Sequence, residues 1–274
     1  MPCLRPFTIK KDTGEETMIP CGNCNYCLMD KRVDWTFRIQ QEMKVAKSAF
    51  FLTLTYDEQN VPLDDDGNGH LSKVDIQKFM RRLRKQNKKI DRNSVIRYYT
   101  IGEYGGETLR PHYHSIMFNC DISVMQHLNK IWNKGFVKIG SVTEASIHYV
   151  TGYCMTKNDT PKYLTKPFAL ISKRSGGLGK NYLVKATKWH KENQALFVQN
   201  GLFKHRLPRF YKDKIFDKEE KRILSMKSKE LFQAMDKQEV ERLSKLHNNP
   251  YIYMEERKKF NEKLIGKKLT KSKL

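Results

Sequence analysis

Apolar positions in this chain recur at two periods. Trp35, Ile39, Met43 and Ala46 stand three or four apart, as do Ile76, Phe79 and Leu83. That spacing predicts helices over about 29–47 and 73–88. Ser72 and Asp75 have the spacing of a capping box for the second helix. Between them Ala49 to Tyr56, dense in aromatic and branched residues, reads as a buried strand. Val95 to Tyr104 reads as another. It ends in Gly102-Glu103-Tyr104-Gly105-Gly106, a glycine-rich turn into a third strand, Pro111 to Phe118, so a hairpin is expected.

Farther along, a helix is expected over 122–132, with Leu128 and Ile131 inward, then a short strand over 135–139. Ser141 and Glu144 suggest a second capping box, opening a helix that carries Tyr149, Tyr153 and Lys157. Ile147, Val150 and Cys154 mark its core-facing stripe. After a strand near 195–199, Leu207 to Tyr211 closes the compact part. From Asp217 the pattern is Lys/Glu-rich and helical, broken at Pro250, with loose lysines at 267, 268 and 271.

Charge changes this picture most. The 274 residues include 52 Lys and Arg against 30 Asp and Glu, a formal charge of +22. Such a charge opposes compaction and calls for a polyanionic partner, most often nucleic acid. The basic residues are spread along the chain and not massed beside an apolar anchor, which disfavours a membrane surface. No signal core is visible, and the run 49–56 is far too short to span a bilayer. A soluble, intracellular protein is expected, whose six cysteines are thiols or metal ligands before they are disulfides. Arg81, Arg82, Arg84, Lys85, Lys88 and Lys89 fill one side of the second helix without an interleaved acid, which favours phosphate contact over a merely solvated face.

The candidate chemistry sits in four places. Cys21, Cys24 and Cys27, with Cys3 folded back across a short hairpin, are spaced to hold one structural Zn²⁺ tetrahedrally; unliganded or redox-active thiols are the alternative. His112 and His114 share one face of their strand, because strand side chains alternate. They can then share a divalent metal, although an isolated pair of this kind is more often just half-exposed. The hairpin turn brings Glu103 beside them as a third ligand, with Glu107 in the turn as competitor. Two imidazoles and a carboxylate suit Mn²⁺, or Mg²⁺ less snugly. Tyr149 and Tyr153, one helical turn apart, present two phenols on one side, continued by Lys157; alone, such a pair is more often packing. Gly152 within that helix hints at a close approach.

Two look-alike motifs are set aside. The loop from Asp64 to Asp75 nearly fits a calcium-binding pattern, but it follows a strand and lacks the bidentate Glu at its last position. Arg174 to Lys180 lacks the spacing of a phosphate loop and reads as a flexible basic turn.

Metal site, paired tyrosines and positive charge together are the equipment for covalent cleavage of a DNA phosphodiester. A metal polarises the phosphate, and a tyrosine attacks to leave a 5′-phosphotyrosine and a free 3′-OH. The second tyrosine lets one phenol hold the old end while the other cuts the next copy.

The order Phe51-Leu52-Thr53-Leu54-Thr55-Tyr56, Gly102-Glu103-Tyr104-Gly105, Arg110-Pro111-His112-Tyr113-His114 and Tyr149-x-x-x-Tyr153 resembles the HUH rolling-circle replication initiators. With the cysteine knuckle and Lys31-Arg32-x-x-Trp35-x-x-Arg38, the chain resembles more narrowly the replication initiation proteins of gokushoviruses, single-stranded DNA phages of the Microviridae. The resemblance runs from Cys3 to about Tyr211. It implies an α+β fold, an antiparallel central sheet with the His-x-His strand in its middle and helices packed on it, in the manner of a ferredoxin-like palm. Residues 1–30 would form a Cys-rich knuckle, 31–215 the endonuclease domain and 216–274 a basic helical extension. Arg81, Arg82, Arg84, Lys85 and Arg110 would contact DNA. Where these phage initiators place Lys between the paired tyrosines, this chain has Gly152, leaving Lys157 as the cation beside them.

The function so implied is nicking of a single-stranded origin, copying around the circle and religation of a unit-length strand, in the cytoplasm of a bacterial host with its helicase and polymerase as partners. A transposase or relaxase would use the same chemistry, often with one tyrosine. A zinc-bearing, non-enzymatic single-strand binder would share the composition.

Overall fold

The computed structural model of the protein describes residues 3–10, 14, 16–152, 160–200 and 203–271. The chain falls into two compact units, residues 35–181 and residues 1–34 with 182–272. In chain order, β1 (Phe7–Lys10) and β2 (Glu16–Ile19) form an antiparallel hairpin. There follow α1 (Asn25–Met43), β3 (Ala49–Thr55), α2 (Lys73–Ile90), β4 (Arg97–Tyr104), β5 (Pro111–Phe118), α3 (Ile122–Met125), α4 (Leu128–Trp132), β6 (Val137–Ser141) and α5 (Glu144–Gly152). The remainder is β7 (Phe168–Ile171), α6 (Asn181–Glu192), β8 (Phe197–Asn200), β9 (Phe203–Arg206), α7 (Arg209–Ile215), α8 (Lys218–Ser244) and α9 (Pro250–Lys271).

The unit 35–181 is built on a five-stranded antiparallel sheet, order β6-β3-β5-β4-β7, which puts the histidine strand β5 in the centre. Helices cover both faces of the central strands, where apolar residues dominate, while β6 at the edge is largely exposed. On one face Leu52, Leu54, Tyr113 and Met117 pack with Ile76, Phe79 and Leu83 of α2 and with Leu128 and Trp132 of α4. On the other, Ile101, Ile116 and Phe118 pack with Ile39 of α1 and Ile147 and Val150 of α5.

Trp132 is the centre of the first core. It is fully buried, its ring lies 5.3 Å from Tyr56, 5.8 Å from Phe79 and 6.0 Å from Tyr113, and its indole N–H donates to the Thr55 carbonyl at 2.9 Å. Trp132→Ala is therefore expected to cost about 3–5 kcal/mol in urea unfolding, the range for emptying a large aromatic site, with Trp132→Phe costing less.

Several local expectations change. The helix foreseen over 122–132 is two short ones, because His127 leaves helical backbone at φ −107°, ψ 12°. The reciprocal cap before α5 is made by Thr143 and Ser146, each backbone N–H donating to the other's hydroxyl, and not by Ser141 and Glu144. The turn 174–180, expected to be flexible, is tethered by hydrogen bonds. Buried Glu42 accepts from Arg97 at 3.0 Å and from the Gly179 N–H at 2.9 Å, Arg97 also donates to the Gly177 carbonyl, and Arg38 donates to that of Leu178. A buried carboxylate is stable only with such partners, and they fix the turn. The Asp64 carboxylate is occupied by its own turn, accepting from the Asp66 and Asn68 N–H groups and pairing with His70.

In the unit 1–34 with 182–272, Asp217 and Glu220 form a full capping box for α8. Pro250 opens α9, as its missing N–H allows at a first helical position. That helix continues to Lys271, through the lysines expected to be loose. Glu239 of α8 pairs with Arg242 and with Arg257 of α9. Among the described residues, no helix is long and apolar enough to cross a membrane.

Candidate active site

The antiparallel register of β4 and β5 sets Glu103 directly opposite His112. Residues two apart on a strand share a face, so His114 joins them, and α5 packs above. The result converges on one oxygen. Glu103 Oε1 lies 2.7 Å from His112 Nε2, 3.0 Å from His114 Nε2 and 2.7 Å from the Tyr149 hydroxyl, which donates to it. The same hydroxyl is 3.4 Å from His114 Nε2.

Neighbours hold the rings in place. His112 Nδ1 faces the Arg110 carbonyl at 3.1 Å, and His114 Nδ1 faces the Thr53 hydroxyl at 3.0 Å, leaving both Nε2 atoms toward Glu103. Phe51 stacks on His114 at 5.5 Å, nearly parallel, and meets Tyr149 edge-on. Such outer contacts fix ring orientation and tautomer at metal sites. Thr53 and Phe51 were not assigned roles from sequence. Their signal is the alternation itself: Leu52 and Leu54 bury on one face, so Phe51 and Thr53 face the other.

The electrostatics follow from burial. Glu103 is almost completely buried; this works against its charge, but hydrogen bonds from His112 and His114 prevail and hold the carboxyl below its ordinary value. At His112 burial pulls down, while the Glu103 hydrogen bond and charge pull up and win. The Tyr149 phenol is pushed above its ordinary range, first by burial, then by the Glu103 charge and hydrogen bond.

The donor set fits a divalent cation. The ligand atoms of Glu103, His112 and His114 lie within 4.8 Å of one another. Adjacent ligands at about 2.1 Å on an octahedral ion are about 3 Å apart, close to the two separations on Oε1. Among the described residues the second oxygen, Oε2, is buried without a hydrogen-bond partner, which leaves it able to serve a cation. Glu107, the competing ligand, is not in this cluster. Tyr153 and Lys157 lie outside the described residues.

Cys3, Cys21, Cys24 and Cys27 form a second cluster, all four sulfurs within 4.8 Å. Cys3 and Cys24 are 3.9 Å apart and Cys21 and Cys27 4.0 Å, near the ~3.8 Å edge of a tetrahedron with 2.3 Å zinc–sulfur bonds. The β1–β2 hairpin brings Cys3 back, and the Cys21 N–H donates to its sulfur. Backbone N–H groups of Asn23 and Cys24 lower the Cys21 thiol to about 6, while burial raises that of Cys27 to about 12.

The cations proposed for DNA divide by environment. Arg82 donates to the Ile131 and Trp132 carbonyls, Arg84 lies over the Tyr98 ring, and Arg110 pairs with Glu58 and the Tyr56 carbonyl. Arg81 and Lys85 are exposed. Arg82, Lys85 and Lys89 line a groove of about 630 Å³ with His127 and Lys130, between α2 and α3–α4 on the sheet face away from Glu103.

The family described as replication-associated protein ORF2/G2P matches residues 49–159, the stretch that holds Thr53, Glu103, both histidines and both tyrosines. The replication-associated protein ORF2 of Spiroplasma virus 4 is 26% identical over 227 residues, covering 75% of this chain and 70% of its own length. The replication-associated protein VP4 of Bdellovibrio phage phiMH2K is 26% identical over 251 residues, covering 78% and 76%. The replication-associated protein ORF4 of Chlamydia phage 1 is 25% identical over 222 residues, covering 71% and 53%. The resemblance to Microviridae replication proteins that the motifs carry is thus a resemblance over most of the chain. No solved structure matches it.

Proposed function

We propose that this relative of phage replication-associated proteins initiates rolling-circle DNA replication by nicking single-stranded origin DNA. The observation that carries the reading is the meeting of the Tyr149 hydroxyl with Glu103, His112 and His114 on one oxygen. A nucleophile and a cation-binding triad have no packing reason to share a buried point.

In this mechanism the Tyr149 oxygen attacks a phosphorus of the strand. The bond from phosphorus to the 3′ oxygen breaks, the 5′ phosphate stays on the tyrosine, and the 3′ oxygen leaves as a hydroxyl. The phenol gives up its proton to solvent as the new bond forms and the leaving 3′ oxygen takes one up from solvent, so protons balance and Glu103 keeps its charge. A divalent cation, Mn²⁺ or Mg²⁺, held by Glu103, His112 and His114 supplies positive charge beside the phosphate oxygens when bound. Left to themselves, burial and Glu103 keep Tyr149 protonated, so the side chains store the nucleophile as its acid. Thr53 and the Arg110 carbonyl keep the two rings aimed.

The phosphotyrosine conserves the bond energy. Attack by a 3′-OH reverses the step and reseals the strand without ATP, which lets a unit-length circle be released. Tyr153 serves as the second nucleophile and Lys157 as the neighbouring cation. Arg81 and Lys85 contact the DNA backbone. The 3′-OH primes a host polymerase, and a host helicase opens the duplex.

The test is a labelled set of single-stranded oligonucleotides tiling the candidate origin, incubated with the protein and Mn²⁺. A denaturant-stable protein–DNA adduct is expected on one tile; its absence on every tile overturns the reading.

The cysteine cluster is read as a structural Zn²⁺ site that staples the hairpin to the start of α1. Elemental analysis of the purified protein is expected to give one zinc per chain. Cys24→Ser is expected to release it, with a Tm lowered relative to the parent, because metal binding to a closed four-ligand set is folding free energy.

A further inference from the structure

The cluster described above does not say how a strand would be held in register over it. The edge strand β6 supplies an answer. Phe136, just before β6, exchanges both backbone hydrogen bonds with Thr55: the Thr55 N–H donates to the Phe136 carbonyl at 2.9 Å, and the Phe136 N–H to the Thr55 carbonyl at 3.1 Å. The two residues are therefore directly opposite, and opposite residues project to the same face. Thr55 is opposite His112, and His112 is opposite Glu103. One row across the sheet thus reads Phe136, Thr55, His112, Glu103. The next reads Lys138, Thr53, His114, Ile101. At a strand spacing of about 4.8 Å, Phe136 and Lys138 sit about 10 Å from the two histidines, on their face.

Phe136 is 71% exposed, whereas every other phenylalanine of the unit 35–181 is buried or half-buried. A single exposed apolar residue needs no explanation. Its position in the histidine row does, and so does the rigidity beneath it. Gly135 has φ +141°, and a Cβ there would lie 2.3 Å from the Thr55 carbonyl oxygen and 2.4 Å from the Asp57 nitrogen. The Asp57 N–H donates to the Lys134 carbonyl, and Trp132 donates to that of Thr55. The backbone is pinned while the ring projects outward. An aromatic on a fixed base loses little entropy when it stacks.

We infer that Phe136 is a base-stacking platform for the single strand, with Lys138 on a neighbouring phosphate, and that together they set the position of the strand relative to Glu103, His112 and His114. The inference rests on the reading of the chain as a single-strand DNA nickase. Aromatic stacking with an adjacent cation is the general means of holding single strands without reading sequence. The competing occupant is a strand of a second copy added to the β6 edge; Lys138 on that edge disfavours it, as edge lysines generally do.

The experiment compares wild type, Phe136→Ala, Phe136→Tyr and Lys138→Gln for binding a fluorescent 20-residue oligothymidylate and the same backbone with abasic sugars. Phe136→Ala is expected to weaken oligothymidylate binding about 5- to 150-fold, the loss of one stack, while Phe136→Tyr keeps it. The abasic backbone should bind wild type and Phe136→Ala alike. Lys138→Gln should reduce the slope of log affinity against log salt by about 0.7, one phosphate's share. Equal oligothymidylate affinity of wild type and Phe136→Ala overturns the inference and leaves the nickase reading standing. So does a change of oligomeric state in Phe136→Ala with DNA affinity unchanged. Failure of the wild type to bind either oligonucleotide overturns both.

Discussion

Tyr149→Phe is expected to lower the yield of covalent protein–DNA adduct about 10³-fold or more, the scale of removing a nucleophile, while DNA affinity stays within about 2-fold. The substitution removes one oxygen. That oxygen donates to Glu103 at 2.7 Å and lies 3.4 Å from His114 Nε2, while the β4–β5 ladder around them is made by backbone groups. The ring, which meets Phe51 and His114, remains. A drop in adduct with intact binding therefore isolates chemistry from folding and from docking. Mass spectrometry of the wild-type adduct, digested to a peptide, is expected to carry the nucleotide on Tyr149. Full adduct yield from Tyr149→Phe on the first cleavage would move the nucleophile elsewhere and sink the assignment.

The second large effect is at Glu103. Glu103→Gln keeps the shape and removes the charge on which three polar groups converge. Mn²⁺ is expected to raise the Tm of the wild type, since a ligand at about 100 times its Kd adds about 2.7 kcal/mol to stability. In Glu103→Gln that shift is expected to vanish, and Mn²⁺-dependent adduct formation with it, by at least about 100-fold, as removal of a ligand should exceed the 10–100-fold cost of an outer-shell partner. Single-strand binding in the absence of metal is expected to persist. A variant that still gains Tm with Mn²⁺ would show that the ion is held elsewhere. Chelation of the wild type should reproduce the variant, which separates loss of the ion from loss of the carboxylate.

The residues of the candidate site were legible because strand geometry is a short-range rule. Alternation puts His112 and His114 on one face whatever surrounds them, and the glycine-rich turn at Gly105-Gly106 is enough to return the chain so that Glu103 falls opposite His112. The apolar stripes of α1 and α2 were legible for the same reason: Ile39, Ile76, Phe79 and Leu83 are all fully buried. Less legible were the choices between equivalent local partners. Thr143 with Ser146 and Ser141 with Glu144 both have cap spacing, and only the start of α5 selects the former. The basic face of α2 looked uniform, yet Arg82 is turned to the carbonyls of α4, which are 49 and 50 residues away in sequence. The turn 174–180 looked loose because its anchor, Glu42, is remote in the chain.

By itself, then, the amino-acid order determined the periodic elements, the side of each strand on which an imidazole or carboxylate would lie, the spacing of the cysteines and the strong positive charge. Those follow from backbone geometry within a few residues, or from composition alone. Strand order decided the rest. That β5 lies between β3 and β4, and that β6 adds to the outer edge of β3, puts Thr53 on His114 and Phe136 in the row of His112. Neither neighbour could be read from local sequence, because sheet partners are chosen by the burial of both faces at once, a property of the whole core and not of any one segment.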